Sequence, residues 1–243
     1  MTTTILRAGL TALATATVLL SGCTGSGNAA PPAATPPASP SPTGNGFATM
    51  TADEIMTKAL EASAAARSYH VKGTSAADEE MGAVTMDIRV AGDDLAGRIT
   101  IDGTAEMELL AVGGKQYFKG NEAFLVSALG AEKARTMMAR AGGKWVAVAG
   151  KDDLSGMFGI ADIKKELSPK GLPIKGAVTQ VEGTPAIILS DNLSDLQIFV
   201  AMTGEPYPLQ VLSPGAGERF TYSEYGATFP EITAPAADQV ANP

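Results

Sequence analysis

A single cysteine, Cys23, and a single histidine, His70, are all that the 243 residues offer of the side chains that build most zinc sites. Disulfide scaffolds and Cys-based metal centres are thereby excluded. A Ser-His-Asp site would have to be built on His70, which lies between Tyr69 and Val71 with no carboxylate at ligand spacing and no G-x-S-x-G turn in the chain. A structural or surface role is the expectation for His70. Positive charge is also short: 18 Lys and Arg stand against 26 Asp and Glu, a net charge of −8. That balance argues against nucleic acid, whose binding rests on cations neutralising phosphates. Aromatics make up only 5% of the chain, with one tryptophan, so large rigid core fillers are scarce. Long apolar runs are missing too. The longest uncharged stretch of that kind, Ala8 to Leu20, is shorter than the roughly 18 to 20 residues needed to span a bilayer.

What is there begins with that short run. Arg7 is the only charged side chain before it, and Leu20-Ser21-Gly22-Cys23 closes it, the layout of a secretory signal. The four closing residues resemble the lipobox of bacterial lipoproteins. The resemblance implies cleavage between Gly22 and Cys23 and acylation of the Cys23 thiol, the palmitate-type modification of an exported protein. Small Ser21 and Gly22 give a peptidase access to the backbone, and a thiol is the good nucleophile in this stretch. Two or three acyl chains hold a protein stably on a membrane where one holds it marginally. The expected mature chain starts at Cys23, anchored on the outer face of the cell membrane without spanning it. Loss of Arg7 leaves it one unit more negative than −8, so the lipid and not charge is expected to do the anchoring.

Three segments follow. Residues 1–22 form the signal peptide. Residues 23–46 comprise the acylated cysteine and a tether with Pro31, Pro32, Pro36, Pro37, Pro40 and Pro42 among small uncharged residues, which cannot bury enough apolar surface to offset ordering entropy. Its reach runs from about 25 Å as a coil to about 70 Å extended. Residues 47–243 read as one domain with an extended, loosely attached tail after Pro230.

Within the domain, Thr51-Ala52-Asp53-Glu54 is a capping box, and Ile55, Met56, Ala59, Leu60, Ser63 and Ala66 recur at helical spacing up to Arg67. Alternating strands then follow at 69–71, 84–90, 95–102 and 105–112, with Gly113-Gly114 as a hairpin signal leading into 115–119 and a turn at Gly120-Asn121. A helix is expected over 127–140, a strand at 144–148, and a second helix from Asp152 or Asp153 to Leu167. Five more strands are expected at 177–181, 185–190, 196–202, 207–212 and 219–225. Their close spacing favours antiparallel pairing, since parallel crossovers need a dozen or more residues. The expected architecture is α+β: a large curved antiparallel sheet, a half-barrel, with helices covering its concave face.

Tyr69-His70-Val71-Lys72-Gly73-Thr74, Gly143-Lys144-Trp145-Val146, Gly204-Glu205-Pro206-Tyr207-Pro208-Leu209 and Tyr225-Gly226 with Thr233-Ala234-Pro235 complete a pattern with the lipobox, the tether and the first helix. Together they resemble the actinobacterial lipoproteins of the LppX, LprA, LprF and LprG group, which share a fold with periplasmic lipoprotein carriers. The resemblance implies a half-barrel closed by helices around a hydrophobic cavity, and binding or shuttling of an acylated lipid or glycolipid.

Ten methionines accompany the few aromatics. Flexible thioethers fill irregular gaps and also suit surfaces that accept varied apolar partners. The expected cavity is lined by Val84, Met86 and Ile88, which share one strand face, and by Met137, Met138 and Phe158 from the covering helices. No enzyme activity, cofactor or metal is expected, and a monomer is. The alternative is a cell-envelope interaction module with a filled core, no ligand and an envelope protein as partner; an enzyme comes third. Asp78-Glu79-Glu80 reads as a solvated loop, Asp152-Asp153 as a helix start, and Asn192-Leu193-Ser194 as a chance glycosylation triplet.

Overall fold

A computed structural model of the chain describes residues 44–77, 82–148, 157–159, 161–168 and 170–241. The signal peptide, Cys23, most of the tether, Asp78-Glu79-Glu80 and Asp152-Asp153 lie outside the described residues.

Helix α1 (Ala52–Ala66) starts as its sequence dictates. The Glu54 amide donates to the Thr51 hydroxyl, and the Thr51 amide donates to the Glu54 carboxylate at 2.7 Å. It ends at Arg67, whose backbone is left-handed at φ 62°. Ile55, Met56, Ala59, Ala62 and Ser63 form its buried stripe.

The strands are β1 (Ser68–Ser75), β2 (Val84–Ala91), β3 (Asp94–Ile101), β4 (Ala105–Val112), β5 (Lys115–Gly120), β6 (Val146–Ala147), β7 (Pro173–Val181), β8 (Thr184–Asp191), β9 (Gln197–Ala201), β10 (Pro208–Ser213) and β11 (Glu218–Ser223). They form one open antiparallel sheet in the order β6-β5-β4-β3-β2-β1-β11-β10-β9-β8-β7. Two meanders thus meet where the first strand pairs with the last, with Val71 opposite Tyr222 and His70 opposite Ser223. The α+β half-barrel expected from the sequence is the fold found.

Two-residue alternation puts one face of every strand toward the helices. Across it, Val71 stands beside Ile88, Ile88 beside Gly97, Gly97 beside Leu109, and Leu109 beside Phe118. Gly73 and Gly97 interrupt this face for a reason. A Cβ at Gly97 would collide with Ile88, and one at Gly73 with the Phe220 ring and the Arg219 carbonyl. Glycine in a strand marks such close approach, and the missing side chains let a wide sheet bend over its contents.

Helices α2 (Glu122–Leu129) and α3 (Ala131–Ala141) replace the single helix expected over 127–140. Asn121 is an N-cap, not merely a turn residue: its side-chain oxygen accepts from the Phe124 amide at 2.9 Å and starts the helix early. Gly130, at φ 81°, then separates the two helices. Of the helix expected from Asp152 or Asp153 to Leu167, the described residues hold a 3-10 turn at 157–159 and α4 (Ile163–Glu166), capped by Asp162. Tyr69 pins the chain just before α4: its buried hydroxyl donates to the Ala161 carbonyl at 2.6 Å and accepts from the Ile163 amide at 3.3 Å.

The tail is also attached more firmly than its sequence suggests. The Trp145 amide donates to the Gln239 carbonyl and the Ala241 amide to the Trp145 carbonyl, both at 2.8 Å. Val240 runs parallel to Trp145. Backbone groups beside the two-residue strand β6 need partners, and the tail supplies them.

Candidate functional site

The helices divide the concave face between them. Helix α1 lies against β1, β7 and β10, whereas α2 lies against β4 and β5 and carries α3. Ile55, Ile88, Ile187, Leu189, Val200, Phe124 and Phe158 belong to one continuous apolar core beneath them. Hollows remain where helices meet the rim.

One hollow, of about 480 Å³, lies between the end of α1, the Gly92-Asp93-Asp94 turn and the segment around α4, with Leu60, Tyr69 and Phe158 in its walls. A second, of about 230 Å³, lies between β5, β6 and the two central helices, against Phe118, Leu125, Met137 and Met138. The third is the largest, about 930 Å³, open on one side and bounded by α3, β6 and the docked tail. Met137, Ala141 and Val146 belong to the walls of both the second and the third, so these three side chains part the two spaces. Lys133, Arg140 and Glu132 stand at the rim of the third, and Val240 and Ala241 form its far wall.

The six residues expected to line a cavity are all in the same core, but they divide there. Val84, Met86 and Ile88 are packed tight, Ile88 with no exposed surface, and the three hollows do not reach them. Met137 and Met138 line the second hollow, Met137 also the third, and Phe158 the first. Gly22 and Cys23 lie outside the described residues. What residue-by-residue reading missed is the stripe Lys133, Thr136, Met137, Arg140 and Ala141, together with the tail. The stripe has the i, i+3, i+4, i+7 spacing of one helix face, and that signal was present in the sequence.

Electrostatics around the hollows favours fixed, uncharged hydrogen-bonding groups. Burial, with Asp162 adding to it against the Ile163 amide, pushes the Tyr69 hydroxyl up to about 12, so it remains a donor. Burial likewise raises Tyr225, which donates to the Pro208 carbonyl at 2.7 Å and stacks on Tyr207 at 4.1 Å.

On the outer face of the sheet His70 is buried between two carboxylates. Its Nε2 lies 2.6 Å from Asp87 and its Nδ1 3.3 Å from Glu224. Lys72 pairs with Asp87 at 3.1 Å and Arg89 with Glu231 at 2.9 Å. This is a structural lattice knitting β1, β2 and the chain after β11. Among the described residues no three His, Cys, Asp or Glu side chains converge as metal ligands. Nor is any helix among them long and apolar enough to cross a membrane.

Asp191, at the end of β8, is a second built site. Its burial opposes ionisation, but the Leu193, Lys170 and Ser194 amides and the Ser194 hydroxyl all donate to its two oxygens and hold its carboxyl at about 2. Asn192 is engaged as well, accepting from the Leu172 amide at 2.9 Å.

No protein-family model and no curated protein sequence matches the chain. Solved structures do. LprF from Mycobacterium bovis aligns with a TM-score of 0.53 at 13% identity, over 76% of this chain and 97% of its own. The Mycobacterium tuberculosis lipoprotein LppX aligns at 0.47 and 12% identity, over 73% of this chain and 96% of its own. The fold is therefore the LprF-like half-barrel, at only 13% identity to LprF.

Proposed function

We propose that the chain is an exported protein, anchored through Cys23 to the outer face of the membrane, that holds an acylated lipid or another hydrophobic molecule between α3, the sheet edge and the docked tail. Binding is non-covalent, and no step of catalysis is involved. The observation that supports this reading is the apolar hollow of about 930 Å³ beside α3, on a fold shared with LprF. Its size falls within the roughly 300–1,000 Å³ typical of small-molecule sites. Met137 is its adaptable wall, and a thioether there can move to join the second hollow to the third.

Organic extraction and native mass spectrometry of the purified protein test the reading. A co-purifying lipid, lost in Met137→Trp at unchanged folding, supports it. A clean apo mass, with no uptake of a fluorescent acyl probe, sinks it. Anchoring is tested separately: Cys23→Ala should leave an unlipidated precursor, and a variant that partitions into detergent like the wild type would refute the lipidation site.

A second reading has its own support. The packing of Val84, Met86 and Ile88 fills the centre of the concave face, as an envelope interaction module without ligand would require. The clean apo mass is the result that favours it.

A further inference from the structure

The three hollows differ in charge. The walls of the first hold Arg67 and Lys164 against Asp93, Asp94 and Asp162. The second takes in Lys119 and Lys144 with no acid, and the third takes in Lys133 and Arg140 with Glu132. The two spaces that Met137 parts are thus walled by four cations and one carboxylate. The bias runs through the sequence around them: residues 115–148 carry six Lys or Arg and two acids, in a chain whose net charge is −8.

Lys119 is partly engaged, its ammonium 4.5 Å from the centre of the Trp145 ring. Lys133 and Arg140 are exposed and pair with no described carboxylate; the ion pairs among the described residues use His70, Lys72, Arg89 and Arg98 instead. The two stand seven residues apart on α3, about 10 Å along its axis, with Thr136 and Met137 between them. Their stems are long enough for both charges to meet one anion above Thr136. The Thr136 hydroxyl already donates to the Glu132 carbonyl at 3.2 Å, which leaves the two cations as the free side-chain donors of this wall. Glu132 offsets only part of their charge, since it lies in the first turn of α3 beside the positive end of the helix dipole. Asp238, in the tail between Ala237 and Val240, is not part of the wall.

We propose that the occupant of the third hollow is an anionic amphiphile: Lys133 and Arg140 hold its carboxylate or phosphate, and its acyl chain runs against Met137, Val146 and Val240. The assignment rests on the ligand reading above and narrows it from any hydrophobic molecule to one with an acidic head. A hydrogen bond assisted by charge on both partners is among the strong ones, and the Arg140 fork suits a carboxylate or a phosphate. About 930 Å³ is room for one small molecule and not for an element of a partner protein.

The test measures displacement of a neutral probe, the methyl ester of dansyl-undecanoic acid, from the full chain. Laurate, methyl laurate, lauroyl lysophosphatidate and inorganic phosphate compete for it below their micellar concentrations. Laurate and lysophosphatidate should each compete at least tenfold more tightly than methyl laurate, and inorganic phosphate should not compete. If only one of the two acids has that advantage, its headgroup is the one the site selects. Lys133→Gln with Arg140→Gln should cut the advantage to about twofold or less, and high salt should narrow it. Lys133→Arg with Arg140→Lys should retain it. So should Arg67→Gln with Lys164→Gln, whose charges belong to the first hollow.

Equal competition by acid and ester would overturn the acidic head and leave the ligand reading standing. An advantage that survives Lys133→Gln with Arg140→Gln, or that depends on Arg67 and Lys164, would overturn it by placing the acid elsewhere. Displacement by inorganic phosphate would do the same by revealing an ion site that needs no chain. A probe that never binds, with no competitor retained in native mass spectrometry, would remove the ligand reading and the acidic head together.

Discussion

The two meanders of the sheet are built from different materials. Under α1, the half made of β7 to β11 buries Ile187, Leu189, Ile198, Val200 and Val211, mostly β-branched side chains with restricted χ1. Under α2 and α3, the other half is softer, with Met86 and Met107 in the strands and Met137 and Met138 above. The stiff half carries a small second apolar cluster on its outer face, around Phe199 and Ala186. All three hollows take their sheet walls from the soft half, the first from β1 to β3, and the rim of that half is closed by the tail. Open space is thus shared unevenly in one continuous core: the hollows border β1 to β6 and none of them reaches β7 to β11.

Mutations across this divide should separate the halves. Ile198→Ala, in the stiff half, should cost about 2–5 kcal/mol in urea unfolding; a much smaller loss would mean that this half relaxes as readily as the other. Tyr69→Phe should cost less, about 1–3 kcal/mol, because it leaves the buried Ala161 carbonyl without its donor. Amide exchange should then quicken selectively around residues 161–167, and uniform exchange across the chain would remove Tyr69 as the pin of that segment. Asp191 makes the stiff half acid-sensitive. Its carboxyl lies lower in the folded chain than in the unfolded one, so its contribution is complete above pH ~4 and fades as pH falls toward about 2. Asp191→Asn should flatten the acid limb of the stability profile in that window, and an unchanged limb would contradict the four donated hydrogen bonds. Met138→Ala, in the soft half, should have the smallest effect, below about 1 kcal/mol, since the site already adjoins open space. A cost matching that of Ile198→Ala would show the two halves to be equally packed and the comparison to be empty.

Strands were legible because alternation and turn residues coincide. Val84, Met86, Ile88 and Val90 against Thr85, Asp87 and Arg89 admit one reading, and Gly113-Gly114 another. Closure of the two meanders through β1 and β11 was not legible, because the pairing of His70 with Ser223 joins residues whose separation leaves no local trace. The turn before α4 is tied to a hydroxyl from a distant strand, which local periodicity does not announce. The tail docks by main-chain bonds, which no side-chain pattern announces. For the site, the methionines of α3 were found by composition. The hollow itself also takes in the polar-looking residues Lys133, Thr136 and Arg140 on the same face as Met137, whose stems form apolar wall as well as charged rim.

The entry of the chain into the domain has a mechanical consequence. Gly44 bridges Thr203, Asn45 bonds the Met202 and Ala201 carbonyls, and the Lys175 ammonium gathers the carbonyls of Phe47, Ala48 and Met50. A pull applied at Gly44 is therefore borne by β9 and β7 before any tension reaches Thr51, the cap of α1. The clamp acts as a strain relief, like the grip on a cable where it enters a housing. A force on the chain at Gly44 is thus taken up by the sheet without unwinding the helix that lies against β1, β7 and β10.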